Sequence, residues 1–222
     1  MSSPRIAAAA VLSLTLAGSA FAADTGAQNS SGPQQVVDSA AKAVRTLSAN
    51  QNFEMLLKKA KGVYIVPDLV KGALVVGGSG GTGVLLAHDS GRWSDPAFLT
   101  IGSVSIGAQA GGEAGTVVMF LMTDKAVSDF TQQNDFSLNA NAGLSVITWS
   151  PKAQGSVGKG DVVVWSGENG VFAGLDISGS DVHADTGYDK AYYGGKYTST
   201  RQVIESQTGP ASASQLMTEL PS

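Results

Sequence analysis

Cysteine is absent from the sequence, and histidine occurs only twice among its 222 residues. Without cysteine the chain has no disulfide, no thiol catalysis and no lipid-modified cysteine at a processed N-terminus. The two histidines, His88 and His183, leave few candidates for a Ser-His-Asp arrangement. We therefore predict that the protein is not an enzyme and that it uses no cofactor.

Long apolar runs are also few. The run at residues 6–16 follows Arg5 and precedes Ala20-Phe21-Ala22, which fits the A-x-A pattern of a signal-peptide cleavage site. This run is shorter than the about 20 residues that cross a bilayer, and no later run is long enough. We therefore predict a signal peptide over residues 1–22, cleaved after Ala22, and a soluble mature protein that is periplasmic or secreted.

Charged residues make up only 14% of the chain, and their distribution is uneven. Residues 42–71 carry six basic and two acidic side chains, whereas residues 72–222 carry seven basic and 14 acidic ones. An acidic chain is a poor ligand for nucleic acid, so we predict no nucleic-acid partner. The basic pole near the N-terminus can still meet anionic lipid.

Two amphipathic helices are predicted after a small, polar and flexible leader at residues 23–32. The apolar face of the first, which Ser31 would cap, carries Val36, Val37, Ala40, Ala41, Val44 and Leu47. The apolar face of the second, which would end at Gly62, carries Phe53, Leu56, Leu57 and Ala60.

Short apolar runs separated by turn residues follow these helices, which predicts closely spaced strands. The runs lie at residues 63–66 (closed by Pro67), 73–76, 84–87, 104–110, 117–122, 136–142, 144–149, 162–165 and 171–177, with a short helix after Thr123 or Asp124. We predict one α+β domain over residues 33–207, with the N-terminal helices packed on a mostly antiparallel, strongly curved or barrel-like sheet. The tail at 208–222 is predicted to form a short helix.

A literal G-x-G-x-x-G motif lies at residues 78–83. A dinucleotide site needs a helix to open at that point, whereas residues 84–87 (VLLA) predict a strand that leads into the turn HDSG at 88–91. No G-K-[ST] motif is present either. We interpret residues 77–83 as a hairpin turn and predict no nucleotide partner.

Two groups of polar residues allow a metal site or an ordinary surface. His88 and His183 each have an aspartate nearby, but no H-x-x-x-H ligand set occurs. An acidic run comprises Asp176, Asp181, Asp185 and Asp189, and its spacing does not fit an EF-hand loop. We favour surface histidines and solvated turn carboxylates, and predict no metal.

The candidate site lies in and around the second predicted helix, where lysines flank an apolar face. Such a helix can lie in a membrane interface, where each basic residue contributes about 1 kcal/mol near an anionic leaflet. The candidate lipid-binding residues are Lys42, Arg45, Phe53, Leu56, Leu57, Lys58, Lys59, Lys61 and Lys71. In the alternative, the same apolar face packs on the sheet and the lysines stay in water.

Seven short blocks also occur in a characteristic order along the chain. They are KGVYIVP (61–67), GALVVGG (72–78), GTGVLL (81–86), GRWSDPAF (91–98), GAQAG (107–111), GVFAG (170–174) and YYG (192–194). Over about residues 35–207 the chain resembles the SYLF domain, a lipid-binding module related to the actin-binding region of yeast actin-patch proteins.

The resemblance implies phosphoinositide or phospholipid binding, with an N-terminal amphipathic helix contributing in eukaryotic members, and actin bundling in fungi. It also implies a fold that is BON-like in some bacterial relatives. An exported protein would not meet actin, so we predict that the partner is anionic phospholipid at a membrane surface. The alternative is a structural or protein-interaction role in the cell envelope.

Overall fold

The structure is a computed structural model that describes residues 32–73, 76–106, 111–132, 135–138, 143–150, 155, 159–165, 179–206 and 213–221. The predicted signal peptide, nearly all of the leader, the Ser31 cap and the strand at 171–177 lie outside the described residues. These predictions remain untested.

The described part of the chain contains six helices and nine strands. The helices are α1 (Pro33–Leu47), α2 (Gln51–Lys59), α3 (Asp124–Gln132), α4 (Thr186–Tyr193), α5 (Thr200–Glu205) and α6 (Ser214–Glu219). The strands are β1 (Gly62–Ala73), β2 (Val76–Asp89), β3 (Arg92–Trp93), β4 (Ala97–Ile106), β5 (Gly111–Leu121), β6 (Asp135–Ser137), β7 (Val146–Thr148), β8 (Val162–Trp165) and β9 (Asp181–Ala184).

The strands form one sheet in the order β6-β9-β4-β2-β1-β5-β8-β7, and β3 pairs with β2. The β7–β8 pair is parallel, and the other pairs are antiparallel. The sheet curls strongly into a half-barrel. The predicted α+β fold with a curved, mostly antiparallel sheet is therefore confirmed, while a BON-like elaboration stays a prediction.

Apolar side chains cover both faces of the sheet. Ile65 faces a core that includes the buried sides of α1, α2 and α6, whereas its neighbour Tyr64 faces a second core that contains Phe130 of α3. A strand covered on both faces has no need of alternating polar residues. This explains the continuous apolar runs in β1, β2, β5 and β8.

The N-terminal helices form where the periodicity predicts them. In α1, five residues on one face are buried, and Pro33 occupies the first turn, where its missing N–H costs no hydrogen bond. In α2, the side chain of Asn50 accepts hydrogen bonds from the N–H groups of Asn52 and Phe53. The next residue after α2, Ala60, is extended and leads into β1.

The prediction of a hairpin turn at residues 77–83 is wrong. These residues lie inside β2, where they pair with β4 on one side. A Cβ atom at Gly83 would overlap the carbonyl oxygen of Ile65 and lie 2.9 Å from Tyr64 Cε2. The close approach of β1 therefore requires glycine at that position. In the sequence alone, a glycine needed for such a contact looks the same as a glycine needed for a turn.

The sequence predicted that Pro67 closes the first strand. This prediction is wrong, because β1 continues through Pro67 to Ala73. The register between β1 and β5 shifts between Val66 and Leu69, and pairing then continues to Ala73. Proline is tolerated at such a bulge because the local hydrogen-bond ladder is already interrupted. Thr116 Oγ1 donates a hydrogen bond of 2.9 Å to the carbonyl oxygen of Pro67 at this point.

Two short helices near the C-terminus, α4 and α5, were not predicted. Their capping residues were the available signal: Asp185 accepts from the N–H of Tyr188, and Gly194 ends α4 in the left-handed conformation at φ 63°. The predicted C-terminal helix is present as α6. Leu216 and Leu220 are buried in the core that also contains the apolar faces of α1 and α2.

Candidate functional site

Helices α1 and α2 and the residue that precedes β1 expose five cations. We call this set the basic surface, and it comprises Lys42, Arg45, Lys58, Lys59 and Lys61, all of which are exposed. Their positions follow from helical periodicity, because the apolar residues of α1 and α2 turn toward the core and leave the other side in water.

The three apolar candidates do not belong to this surface. Phe53, Leu56 and Leu57 are fully buried. Phe53 makes edge-on ring contacts with Phe120 at 5.1 Å and with Trp165 at 5.5 Å between centroids. This corrects the interpretation of an exposed apolar face: packing on the sheet, the alternative that the sequence left open, is the observed arrangement. None of these three side chains is therefore available for lipid contact while the domain stays folded.

Two of the five cations are paired with carboxylates. Arg45 Nη2 lies 2.6 Å from Glu219 Oε1, and Lys58 Nζ lies 2.6 Å from Glu54 Oε1. Lys42, Lys59 and Lys61 have no ion pair among the described residues. Three of its five cations therefore have no ion pair among the described residues, although the exposed carboxylate of Asp38 lies one helical turn before Lys42 on α1.

The partner of Arg45 comes from the other end of the chain. Glu219 lies on α6, which packs against α1. Trp93 Nε1–H donates a hydrogen bond of 2.7 Å to the carbonyl oxygen of Pro221, which holds the end of this segment. Sequence reasoning missed Glu219 because nothing in its local context indicates a partner 174 positions away.

Lys71, the remaining candidate, does not join the other cations. It lies ten residues after Lys61, opposite Ser79 of β2 and Glu113 of β5 in the strand register. At about 3.3 Å per residue along a strand, its backbone is roughly 30 Å from that of Lys61. This position corrects the prediction that Lys71 forms part of one basic site.

The histidines lie apart, and each has a structural neighbour. His88 stacks on Trp93 with ring centroids 4.5 Å apart. His183 Nδ1 lies 2.6 Å from Asp135 Oδ1 across the β6–β9 pair. Among the described residues, no three His, Asp or Glu side chains lie close enough together to hold a metal ion.

One member of the acidic run is not a solvated carboxylate. Asp181 is exposed in β9 and Asp185 caps α4, but Asp189 is only 1% exposed, so the prediction is wrong for that residue. Asp176 lies outside the described residues. The spacing of four between Asp185 and Asp189 arises from the first turn of α4, whereas Asp181 lies in β9.

Asp189 connects α4 to the sheet. Its Oδ1 accepts a hydrogen bond of 3.0 Å from the N–H of Phe98, while the N–H of Asp185 donates to the carbonyl oxygen of Phe98 at 2.9 Å. Asp189 Oδ2 has no hydrogen-bond partner in the described structure. Burial raises the pKa of Asp189 to about 7, with a smaller contribution from the charge of Asp185, although the Phe98 hydrogen bond opposes the shift.

None of the described helices is both long enough and apolar enough to cross a membrane.

The comparison with known families concerns the second half of the chain. Residues 102–222, more than half of the sequence, match the family described as Ysc84, "Las17-binding protein actin regulator". The chain belongs to the Ysc84 family. This membership confirms the resemblance to the SYLF domain, and it supports a protein-interaction or binding role.

Relatives of the Ysc84 family align with between 56% and 71% of this chain. LAS seventeen-binding protein 3 of Saccharomyces cerevisiae is 27% identical over 164 residues, which cover 71% of this chain and 35% of the relative. Protein YSC84 of the same yeast is 29% identical over 150 residues, covering 65% and 32%. SH3 domain-containing YSC84-like protein 1 of Bos taurus is 30% identical over 129 residues, covering 56% and 38%.

The chain thus spans about a third of the length of these relatives. The name of the first of these relatives describes a binding protein, and none of the three names an enzymatic reaction. No solved structure matches the chain.

Proposed function

We propose that the chain is a non-enzymatic binding module whose basic surface docks on anionic phospholipid at a membrane surface. The observation that carries this proposal is the set of three exposed lysines, Lys42, Lys59 and Lys61, that have no ion pair within the described residues. They stand out in a chain whose formal net charge is −4. The proposal includes the exported location that residues 1–22 predict.

The expected binding is electrostatic and weak. Three uncompensated lysines near an anionic leaflet contribute about 3 kcal/mol together. Phe53, Leu56 and Leu57 are buried, so insertion of these three side chains adds nothing while the domain stays folded. Binding should therefore depend on the anionic fraction of the membrane and weaken as salt shortens the Debye length, which is about 8 Å at physiological ionic strength.

Replacement of Lys59 and Lys61 by glutamine should reduce binding to anionic vesicles about 30-fold, because two charges are lost at about 1 kcal/mol each. The measurement is co-sedimentation with vesicles of phosphatidylcholine and phosphatidylglycerol in a 7:3 ratio at low salt, with pure phosphatidylcholine beside them. Both lysines are exposed, so the fold should be unaffected.

The matched control replaces Lys196 and Arg201, which are also exposed but lie outside the basic surface, Lys196 after α4 and Arg201 on α5, which packs against α3, α4 and β4. This double variant carries the same change in net charge and should bind within about twofold of the wild type, because neither side chain belongs to the surface that docks. Equal binding of the wild type to neutral and anionic vesicles, or equal losses in both double variants, would contradict the proposal.

A protein partner is the second candidate, and the description of the family as Las17-binding is the observation that favours it. In this case the domain would recognise a protein of the compartment in which it resides, in a structural or interaction role. Absence of wild-type binding to both kinds of vesicle would favour this candidate over the lipid surface.

A further inference from the structure

The basic surface has built-in counterions. Glu54 and Glu219 each place a carboxylate oxygen 2.6 Å from a cation of that surface. Two of its five positive charges are thereby neutralised within the protein. An anionic partner that approaches these cations has to compete with carboxylates that are already in contact with them.

The two counterions differ in how they are held. Glu54 and Lys58 form an i,i+4 pair on one helix, and both side chains are about half exposed, so the pair is mobile and weak. Glu219 is less exposed, at 23% of its side chain, and both Nε and Nη2 of Arg45 contact its Oε1, at 2.7 Å and 2.6 Å.

The position of Glu219 depends on the packing of α6. Leu216 and Leu220 of this segment are buried in the same core as the apolar face of α1. The hydrogen bond from Trp93 to Pro221 holds the residues that follow α6. The C-terminal segment thus presents a carboxylate to α1 from a fixed position, 174 residues away from Arg45 in sequence.

We propose that Glu54 and Glu219 set the affinity of the basic surface for anionic head groups, and that Glu219 makes the availability of Arg45 depend on the docking of α6. This inference rests on the proposed function and adds the residues that regulate it. The guanidinium of arginine suits phosphate because its N–H groups can bind two oxygens at once. While Glu219 contacts Nε and Nη2, the charge of Arg45 is compensated and fewer of its five N–H groups are available to a membrane.

The test neutralises each counterion without changing its shape. Glu219→Gln and Glu54→Gln each release one positive charge, so each variant should bind the 7:3 vesicles about fivefold more tightly than the wild type. The double variant should gain about 25-fold, because the two sites lie on separate pairs and their effects should add.

Glu205→Gln is the matched control. Glu205 forms an i,i+4 ion pair with Arg201 on α5, with an N–O distance of 2.7 Å and both side chains exposed. It is therefore a glutamate paired with a cation, like Glu54 and Glu219, but it lies outside the basic surface. Its replacement should leave vesicle binding within about twofold of the wild type, because Glu205 neutralises no cation of the basic surface. Thermal unfolding of all variants checks that they remain folded.

The outcomes separate this inference from the proposed function. If the wild type binds anionic vesicles and loses binding when Lys59 and Lys61 are replaced, but Glu54→Gln and Glu219→Gln gain no more than Glu205→Gln, the counterion proposal is wrong and the proposed function stands. If neither the wild type nor the Glu54→Gln, Glu219→Gln double variant binds, the proposed function itself fails.

Discussion

The free energy of unfolding of this domain should fall by up to about 4 kcal/mol as the pH rises from about 4 to about 7, because Asp189 has to ionise inside the core. The pKa of Asp189 is raised by burial from 3.8 to about 7. Between these two values the folded state binds a proton that the unfolded state has released. The free energy that protonated Asp189 contributes to the folded state is therefore fully present below about pH 4, and it is lost as the pH rises to about 7.

Asp189→Asn should remove this pH dependence, since an amide does not ionise and its oxygen can still accept from the N–H of Phe98. The amide also introduces an N–H₂ group where Oδ2 now has no partner among the described residues, which costs about 1–3 kcal/mol at every pH. The informative quantity is thus the difference in unfolding free energy between pH 5 and pH 8, measured by urea denaturation.

Asp181→Asn provides the control for Asp189→Asn, because Asp181 is exposed in β9 and carries the same charge. It should retain the wild-type difference between the two pH values. Asp161, whose pKa is lowered chiefly by the hydrogen bond from the N–H of Ser145, affects stability only at lower pH, as that carboxylate becomes protonated. If Asp189→Asn and the wild type lost the same stability between pH 5 and pH 8, Asp189 would not be the titrating group.

Gly83→Ala should destabilise the domain by about 3–5 kcal/mol or prevent folding, because the added methyl group meets backbone atoms that cannot move away. Its Cβ would overlap the carbonyl oxygen of Ile65 and lie 2.9 Å from the carbonyl carbon of the same residue. Chemical denaturation of the purified variant, or the loss of its folded fraction by circular dichroism, measures the effect.

Gly80→Ala is the paired variant in the same glycine-rich part of β2. A Cβ atom there would meet only the carbonyl oxygen of Ile101 at 3.5 Å, an ordinary contact. Its effect should stay within about 1 kcal/mol of zero, since alanine also lowers the entropy of the unfolded chain. Equal effects of the two variants would mean that the close approach of β1 at Gly83 does not determine the requirement for glycine.

The helices and strands that could be predicted from the sequence are those with a strong local signal. The periodic apolar residues of α1 and α2 predict both helices, and the run at 117–122 predicts the buried strand β5. Short helices with few apolar residues, such as α4, were missed. Their formation depends on docking against β4 through residues such as Asp189 and Tyr193, whose hydroxyl donates to the carbonyl oxygen of Pro96.

The glycine-rich stretch and Pro67 show why local rules failed elsewhere. Both residue types are typical of turns, so the sequence predicted a turn at 77–83 and a strand end at Pro67. In the structure the first lies within β2, and the second lies at a bulge of β1. The close approach of β1 to Gly83 and the bulge at Pro67 both depend on neighbouring strands that are distant in sequence.

The sequence by itself determined the family, the amphipathic helices, the α+β class and the uneven distribution of charge, because each of these depends on residue types and their local spacing. The tertiary structure alone decided that Phe53 packs in the core, that Lys71 lies far from Lys61, and that Glu219 neutralises Arg45. Periodicity shows that a helix has an apolar face but not what covers it. The charge that remains available to a partner depends on which carboxylates the fold brings to the same surface.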